Sequence, residues 1–174
     1  MRTLIVYATK HGAAATCAES LSELLGDDVS RCQLGREQVP PLADFDQIII
    51  GGSVHIGKIQ KAVTKFMLDN QALLLQKKLG LFLCCMTEGE NLPTLIKASF
   101  PEKLLNHATA AASFGGCFNF DQMNWLERKM IQMMLKKDAV EGEGEAAARV
   151  YENIDKINRT ELGSFAAAMA ASNQ

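Results

Sequence analysis

Between an apolar run that ends at Ala8 and a helical run that starts at Ala13, the chain places Thr9-Lys10-His11-Gly12. These four residues bring together a hydroxyl, two groups able to carry positive charge, and a glycine. The chemistry such a set suits is anion binding. A helix N-terminus presents N–H groups with no intrahelical partner and about half a positive charge, which together favour phosphate. Gly12 lets the backbone come close to a ligand. Thr9 can donate its hydroxyl, Lys10 or His11 can add positive field, and Ala13 and Ala14 offer main-chain N–H groups. Neither GxxxxGK[ST] nor GxGxxG occurs, so the turn is not a P-loop or a dinucleotide fingerprint. A T-x-x-G turn alone equally suits a plain strand-to-helix connection.

Two further stretches strengthen the ligand reading. "GGSVHIG" (51–57) follows an apolar run and is expected to form a compact loop whose main-chain groups meet a flat ligand. "CMTEGEN" (85–91) follows another apolar run and is again polar and glycine-containing. Three such loops at one sheet edge would form a single mononucleotide site.

The elements that must position these loops alternate in period. TLIVYA (3–8), QIIIGGS (47–53) and LGLFLCCM (79–86) are continuous apolar runs, as in strands buried on both faces. Residues 29–34 form a weaker, partly polar strand suited to an edge, and 108–118 a strand of small residues. Residues 13–25 are helical, with Cys17, Leu21, Leu24 and Leu25 on one face and Gly26 as the stop. Residues 58–74 are helical, with Ile59, Val63, Phe66 and Met67 on one side. Residues 91–100 form a short helix, and 146–172 an alanine-rich helix with a break expected near 158–163. Strands separated by helices imply a parallel sheet covered on both faces. Five strands match the doubly wound order 2-1-3-4-5, whose ligand site lies at the carboxyl ends of the first and third strands. One domain over residues 1–174 is expected.

Composition limits the function classes. A net charge of −2 gives no reason to expect nucleic acid. No apolar run approaches the roughly 20 residues of a membrane span. The first strand begins at Thr3 without the regions of an export signal, so a cytoplasmic protein is expected. The five cysteines show no CxxC or metal-type spacing, which points to reduced, mostly buried thiols and no metal site. Cys84, Cys85 and Cys117 fall near the ends of neighbouring strands, but adjacent residues of a strand point to opposite faces. His107 falls in a surface turn.

"TLIVYATKHG", "IIIGGSVHIGK" and "NWLERKMIQMMLKK" resemble the flavodoxin-like menaquinone-dependent protoporphyrinogen oxidases and their flavodoxin-domain relatives over nearly the whole chain. The resemblance implies a three-layer α/β/α sandwich, an extra helical insert after the fifth strand, and FMN as cofactor. Thr9, Lys10, His11, Gly12, Ala13 and Ala14 would wrap the phosphate. Ser53, Val54, His55, Ile56 and Gly57 would lie on one side of the isoalloxazine, and Met86, Thr87, Glu88 and Gly89 on the other. These loops offer no Trp or Tyr to stack on the flavin, and Ala14 stands where a second hydroxyl is common. His11 and His55 could steer phosphate, hydrogen-bond the ring or move protons.

The third motif carries the most specific expectation. Met123, Leu126, Met130, Met133 and Met134 share one helical face, widened by Trp125, while Arg128 and Lys129 make the remainder basic. Such a helix suits an adaptable apolar partner or an anionic membrane surface, and equally suits plain packing on the sheet edge. Trp125, Arg128, Met130, Met133 and Met134 are the candidate contacts to a porphyrinogen or to a membrane carrying a quinone. The preferred expectation is an FMN-dependent oxidoreductase passing electrons from a porphyrinogen to a quinone. The alternatives are a flavodoxin-type carrier acting with a redox partner protein, and a non-enzymatic binding module.

Overall fold

The structure is a computed structural model, and it describes residues 1–55, 57–118, 129 and 154–171. The order is β1 (Thr3–Ala8), α1 (Ala13–Leu25), β2 (Val29–Gln33), a 3-10 turn (Leu42–Asp44), β3 (Gln47–His55), β4 (Lys58–Ile59), α2 (Lys61–Asp69), α3 (Gln71–Leu74) and β5 (Lys78–Cys84). Then follow α4 (Asn91–Ser99), α5 (Glu102–His107), β6 (Ala110–Ser113), β7 (Gly115–Phe118), β8 (Ile154–Ile157) and α6 (Arg159–Ala170).

The main sheet runs β2-β1-β3-β5-β6, with every pair along that path parallel. This is the expected doubly wound order. It reverses between β1 and β3, so the two carboxyl ends that open a crevice are those of β1 and β3. β1 is buried along its whole length, whereas β2 buries only Cys32 fully, as an edge strand does.

Each face of the sheet has its own core. On one face Leu4, Val6, Ile48, Ile50, Leu79 and Leu81 meet Val63, Phe66 and Met67 of α2 and Leu104 of α5. On the other, Ile5, Ile49 and Phe82 meet Ala14, Cys17, Ala18 and Leu21 of α1 and Phe165, Ala166 and Met169 of α6. The alternation along β1, β3 and β5 is the period-two consequence of strand geometry. Phe114 joins the second core, stacked on Phe82 and edge-on to Phe165, each with centroids 5.2 Å apart.

Several expectations change. The helix expected over 58–74 is instead β4, α2 and α3, because Lys58 and Ile59 pair with β3 and the helix restarts after Asn70. Gly51 and Gly52, placed by the sequence both in the strand 47–53 and in the loop 51–57, belong to the strand: β3 continues through them to His55. A Cβ at Gly51 would overlap the Phe82 ring, and one at Gly52 would sit 3.0 Å from Val63 Cγ2, so both glycines make room for core side chains. Leu24 is exposed rather than part of the buried face of α1, which is formed by Ala13, Ala14, Cys17, Ala18 and Leu21. The fifth strand breaks at Phe114, and from Gly115 the chain leaves the sheet to pair antiparallel with β8. Finally, residues 154–157 are strand rather than helix. α6 starts only after Asn158, whose side chain accepts the Glu161 N–H at 3.0 Å, and Gly163 lies inside that helix. The helical insert expected after the fifth strand, with Trp125, Arg128, Met130, Met133 and Met134, lies outside the described residues.

Candidate functional site

The sheet brings the carboxyl ends of β1, β3 and β5 side by side, through the register Ala8↔Gly52 and Ser53↔Cys84. The turns that follow them are therefore neighbours. This is the juxtaposition the sequence predicts for residues 9–14, 53–57 and 86–89.

The β1–α1 turn is a preformed N–H cradle. Gly12 is left-handed (φ 92), a conformation that disfavours side-chain-bearing residues. Its N–H donates to Thr9 Oγ1 at 3.0 Å, which closes the turn upon itself. The Gly12 carbonyl accepts the Thr16 N–H at 3.0 Å and so begins the helix. No side chain caps α1 and no acidic residue lies in its first turn. The first-turn N–H groups of Ala13, Ala14 and Ala15 accordingly have no intrahelical acceptor and carry the positive end of the helix dipole. The alanine methyls of residues 13 and 14 are buried against the core, which leaves main-chain donors as the turn's chemistry.

The second wall, expected as a compact loop over 51–57, is a strand end and a tight hairpin. His55 pairs with Lys58 and Val54 with Ile59, so the chain reverses direction between His55 and Lys58. Gly57 is left-handed (φ 70), and a Cβ there would meet nothing within 4 Å. Val54 is half-buried and His55 is exposed at its rim. Ser53 Oγ accepts a hydrogen bond from Gln60 Nε2 at 3.1 Å, so its hydroxyl is oriented with its own proton available. Ile56 lies outside the described residues.

The third wall follows β5. Met86 and Thr87 are half-buried, whereas Glu88 and Gly89 are exposed. Cys85 Sγ lies 3.3 Å from Ser113 Oγ, which ties this loop to the end of β6. The backbone of Gly116 on β7 lies close to Met86 Sδ, so the β7–β8 ribbon rises beside this wall.

The structure also brings together residues that the sequence left separate. The His11 and His55 rings approach each other, centroids 6.4 Å apart and tilted by 57°. Cys84 points into the core, where its Sγ lies 3.5 Å from Cys17 Sγ. The vicinal Cys84 and Cys85 thus point apart, as strand alternation requires. Among the described residues no group of three or more His, Cys, Asp or Glu could hold a metal ion, and no helix is long and apolar enough to cross a membrane. His107 closes α5, exposed, with Nε2 2.9 Å from the Lys77 carbonyl. Reasoning from sequence missed Gln60 and the hairpin. The signal for the hairpin was Gly57 between His55 and the Lys58-Ile59 pair.

Residues 4–144 match the family model described as the flavodoxin domain. The chain belongs to the flavodoxin domain family. Two solved structures share the flavodoxin fold with it. One is a short-chain flavodoxin associated with a non-canonical PDU bacterial microcompartment, 17% identical with a TM-score of 0.57, covering 98% of this chain and 100% of that one. The other is rubredoxin oxygen:oxidoreductase from the anaerobe Desulfovibrio gigas, 14% identical with a TM-score of 0.50 over 98% of this chain. This flavodoxin domain spans 37% of the length of that oxidoreductase. No curated protein matches the chain.

Proposed function

We propose that this flavodoxin domain binds FMN and works as an electron carrier between proteins. The observation that carries the reading is the β1–α1 turn. A left-handed glycine, a threonine that locks it, and an uncapped helix N-terminus form a donor set suited to a phosphate monoester. In the proposal Thr9 to Ala14 hold that phosphate. Ser53, Val54, His55 and Gly57 border one side of the isoalloxazine, and Met86 to Gly89 border the other. When bound, the flavin supplies the electron transfer. The chain's own residues orient the ring and keep water from its inner face. No stacking Trp or Tyr is available in these walls, and such a ring would add roughly 0.5–1.5 kcal/mol beyond burial.

The porphyrinogen and quinone expectation rests on residues 121–137, of which only Lys129 is among the described residues. Family membership and the three walls support the carrier more directly. The test is reconstitution of the purified full chain with FMN, followed by photoreduction and mixing with cytochrome c. Transfer to the haem protein without turnover of protoporphyrinogen supports the carrier. Porphyrinogen oxidation with menaquinone reduction would overturn it in favour of the oxidase. A chain that binds no FMN would leave only the non-enzymatic module.

A further inference from the structure

A groove of about 530 Å³ opens beside the candidate site, between the β3–β4 hairpin, α2 and α4. Gly57 and Lys58 of the hairpin, Lys61, Lys65 and Leu68 of α2, and Ala98 of α4 line it. Asp69 also lines it and pairs with Lys65 at 2.5 Å. Three lysines therefore stand against one carboxylate here, in a chain whose net charge is −2. Lys97, also exposed, adjoins Ala98 in the last turn of α4. Leu68 is 58% exposed, one of only three large hydrophobics so exposed among the described residues.

We propose that this groove is the docking surface for the acidic face of a redox partner protein. The proposal rests on the carrier reading and names the chemistry of its partner. Charge supplies the first reason. A cationic groove on a chain of negative net charge orients an incoming protein so that its carboxylates meet this one side. Composition supplies the second. An apolar Leu68 ringed by long cationic side chains has the core-and-rim make-up of a protein interface, and the groove is far larger than a single anion needs. Position supplies the third. The groove begins at the same hairpin turn that ends the second wall, so a partner seated there stands next to the flavin rim.

The probe is the acidic haem domain of cytochrome b5, with basic cytochrome c as the opposite-charge control. The full chain is cross-linked to each by carbodiimide, with and without FMN, and the linked lysines are mapped by mass spectrometry. Links to cytochrome b5 should concentrate on Lys58, Lys61 and Lys65 and be lost in high salt. Links spread over all exposed lysines would overturn the proposal. Protection of the three lysines by pyrophosphate at equal ionic strength, with no link to cytochrome b5, would make the groove a small-anion site and overturn it as well. In FMN-loaded protein, Lys61→Glu combined with Lys65→Glu should slow reduction of cytochrome b5 at low salt by about tenfold or more. FMN affinity should stay within about twofold, because neither lysine belongs to the three walls. An unchanged rate would overturn the docking role. Failure of the wild type to bind FMN would sink the carrier reading alone, since the cross-linking map does not depend on flavin.

Discussion

The two edges of the parallel sheet treat their polar groups in opposite ways. At the amino edge several of those groups pair with one another, although the buried Gln47 Oε1 has no hydrogen-bond partner among the described residues. Gln47, fully buried, donates from Nε2 to Thr3 Oγ1 at 3.2 Å, and the Arg2 N–H donates to Asp46 Oδ2 at 2.8 Å. Lys77 Nζ reaches the Phe45 carbonyl at 2.6 Å, while the Arg2 guanidinium lies 5.3 Å from the centre of the Phe45 ring. At the carboxyl edge, Gly12, Gly57 and Gly89 are left-handed, and α1 starts with no side-chain cap. The same strands therefore end in a structural seam on one side and in an open donor set on the other. Changes at the amino edge should cost stability, and changes at the carboxyl edge should cost binding.

The largest expected effect breaks the carboxyl edge. Gly12→Val forces a β-branched residue into the left-handed region, a strain of about 1–3 kcal/mol, and puts a side chain at the mouth of the cradle. FMN affinity should fall by at least about 100-fold, read by fluorescence titration of the folded fraction. Unchanged affinity would remove the turn from the site.

Gln47→Ala is the mirror experiment. It leaves Thr3 without its buried partner and should cost about 1–3 kcal/mol in urea denaturation. FMN affinity should stay within about twofold, and a large loss of binding would erase the distinction between the edges.

Gly51→Ala sharpens the boundary between them. The added methyl runs into Phe82, so overpacking should cost about 1–3 kcal/mol of stability. Because Gly51 lies inside β3 and not in a wall, FMN affinity of the folded variant should change little. A specific loss of FMN would return residues 51–52 to the ligand loop that the sequence suggests.

What the sequence disclosed, and what it hid, follow the same line. The five parallel strands were legible because runs such as LIVYA and IIIGG are apolar without interruption, which marks strands covered on both faces. The cradle was legible because Thr9 and Gly12 act locally, within one turn. Gly51 and Gly52 were read both as strand and as loop because a glycine opposite a phenylalanine on the next strand looks, in one dimension, like a glycine in a loop. The switch from β6 to the β7–β8 ribbon was hidden because its partner is more than 35 residues away. A Cβ on Gly115 would overlap the Lys156 carbonyl oxygen, a long-range constraint with no local signature. The His11–His55 approach was hidden for the same reason.

The smallest expected effect concerns pH at β1 and β2. Burial first, and the Glu37 carboxylate next, push the Tyr7 phenol and the Cys32 thiol up from their ordinary 10.0 and 9.0. Both groups are neutral when protonated. Raised folded-state values mean that the unfolded chain loses these protons first, so folding is favoured below about pH 9 and loses that contribution as pH rises through the raised values. Urea midpoints should fall between about pH 8 and about pH 10.5, and Cys32→Ala should flatten that fall. An equal slope in the variant would detach the thiol from the effect.

The central claim is that the uncapped start of α1 holds the phosphate of a flavin mononucleotide. Its most direct test is a side-by-side titration of the full chain, freed of any flavin, with FMN and with riboflavin. One charge-assisted hydrogen bond contributes about 1.5–3 kcal/mol, and each 1.4 kcal/mol is a factor of ten. FMN should therefore bind at least about tenfold more tightly than riboflavin, with the gap shrinking in Thr9→Ala. Equal affinities for the two flavins would contradict the account.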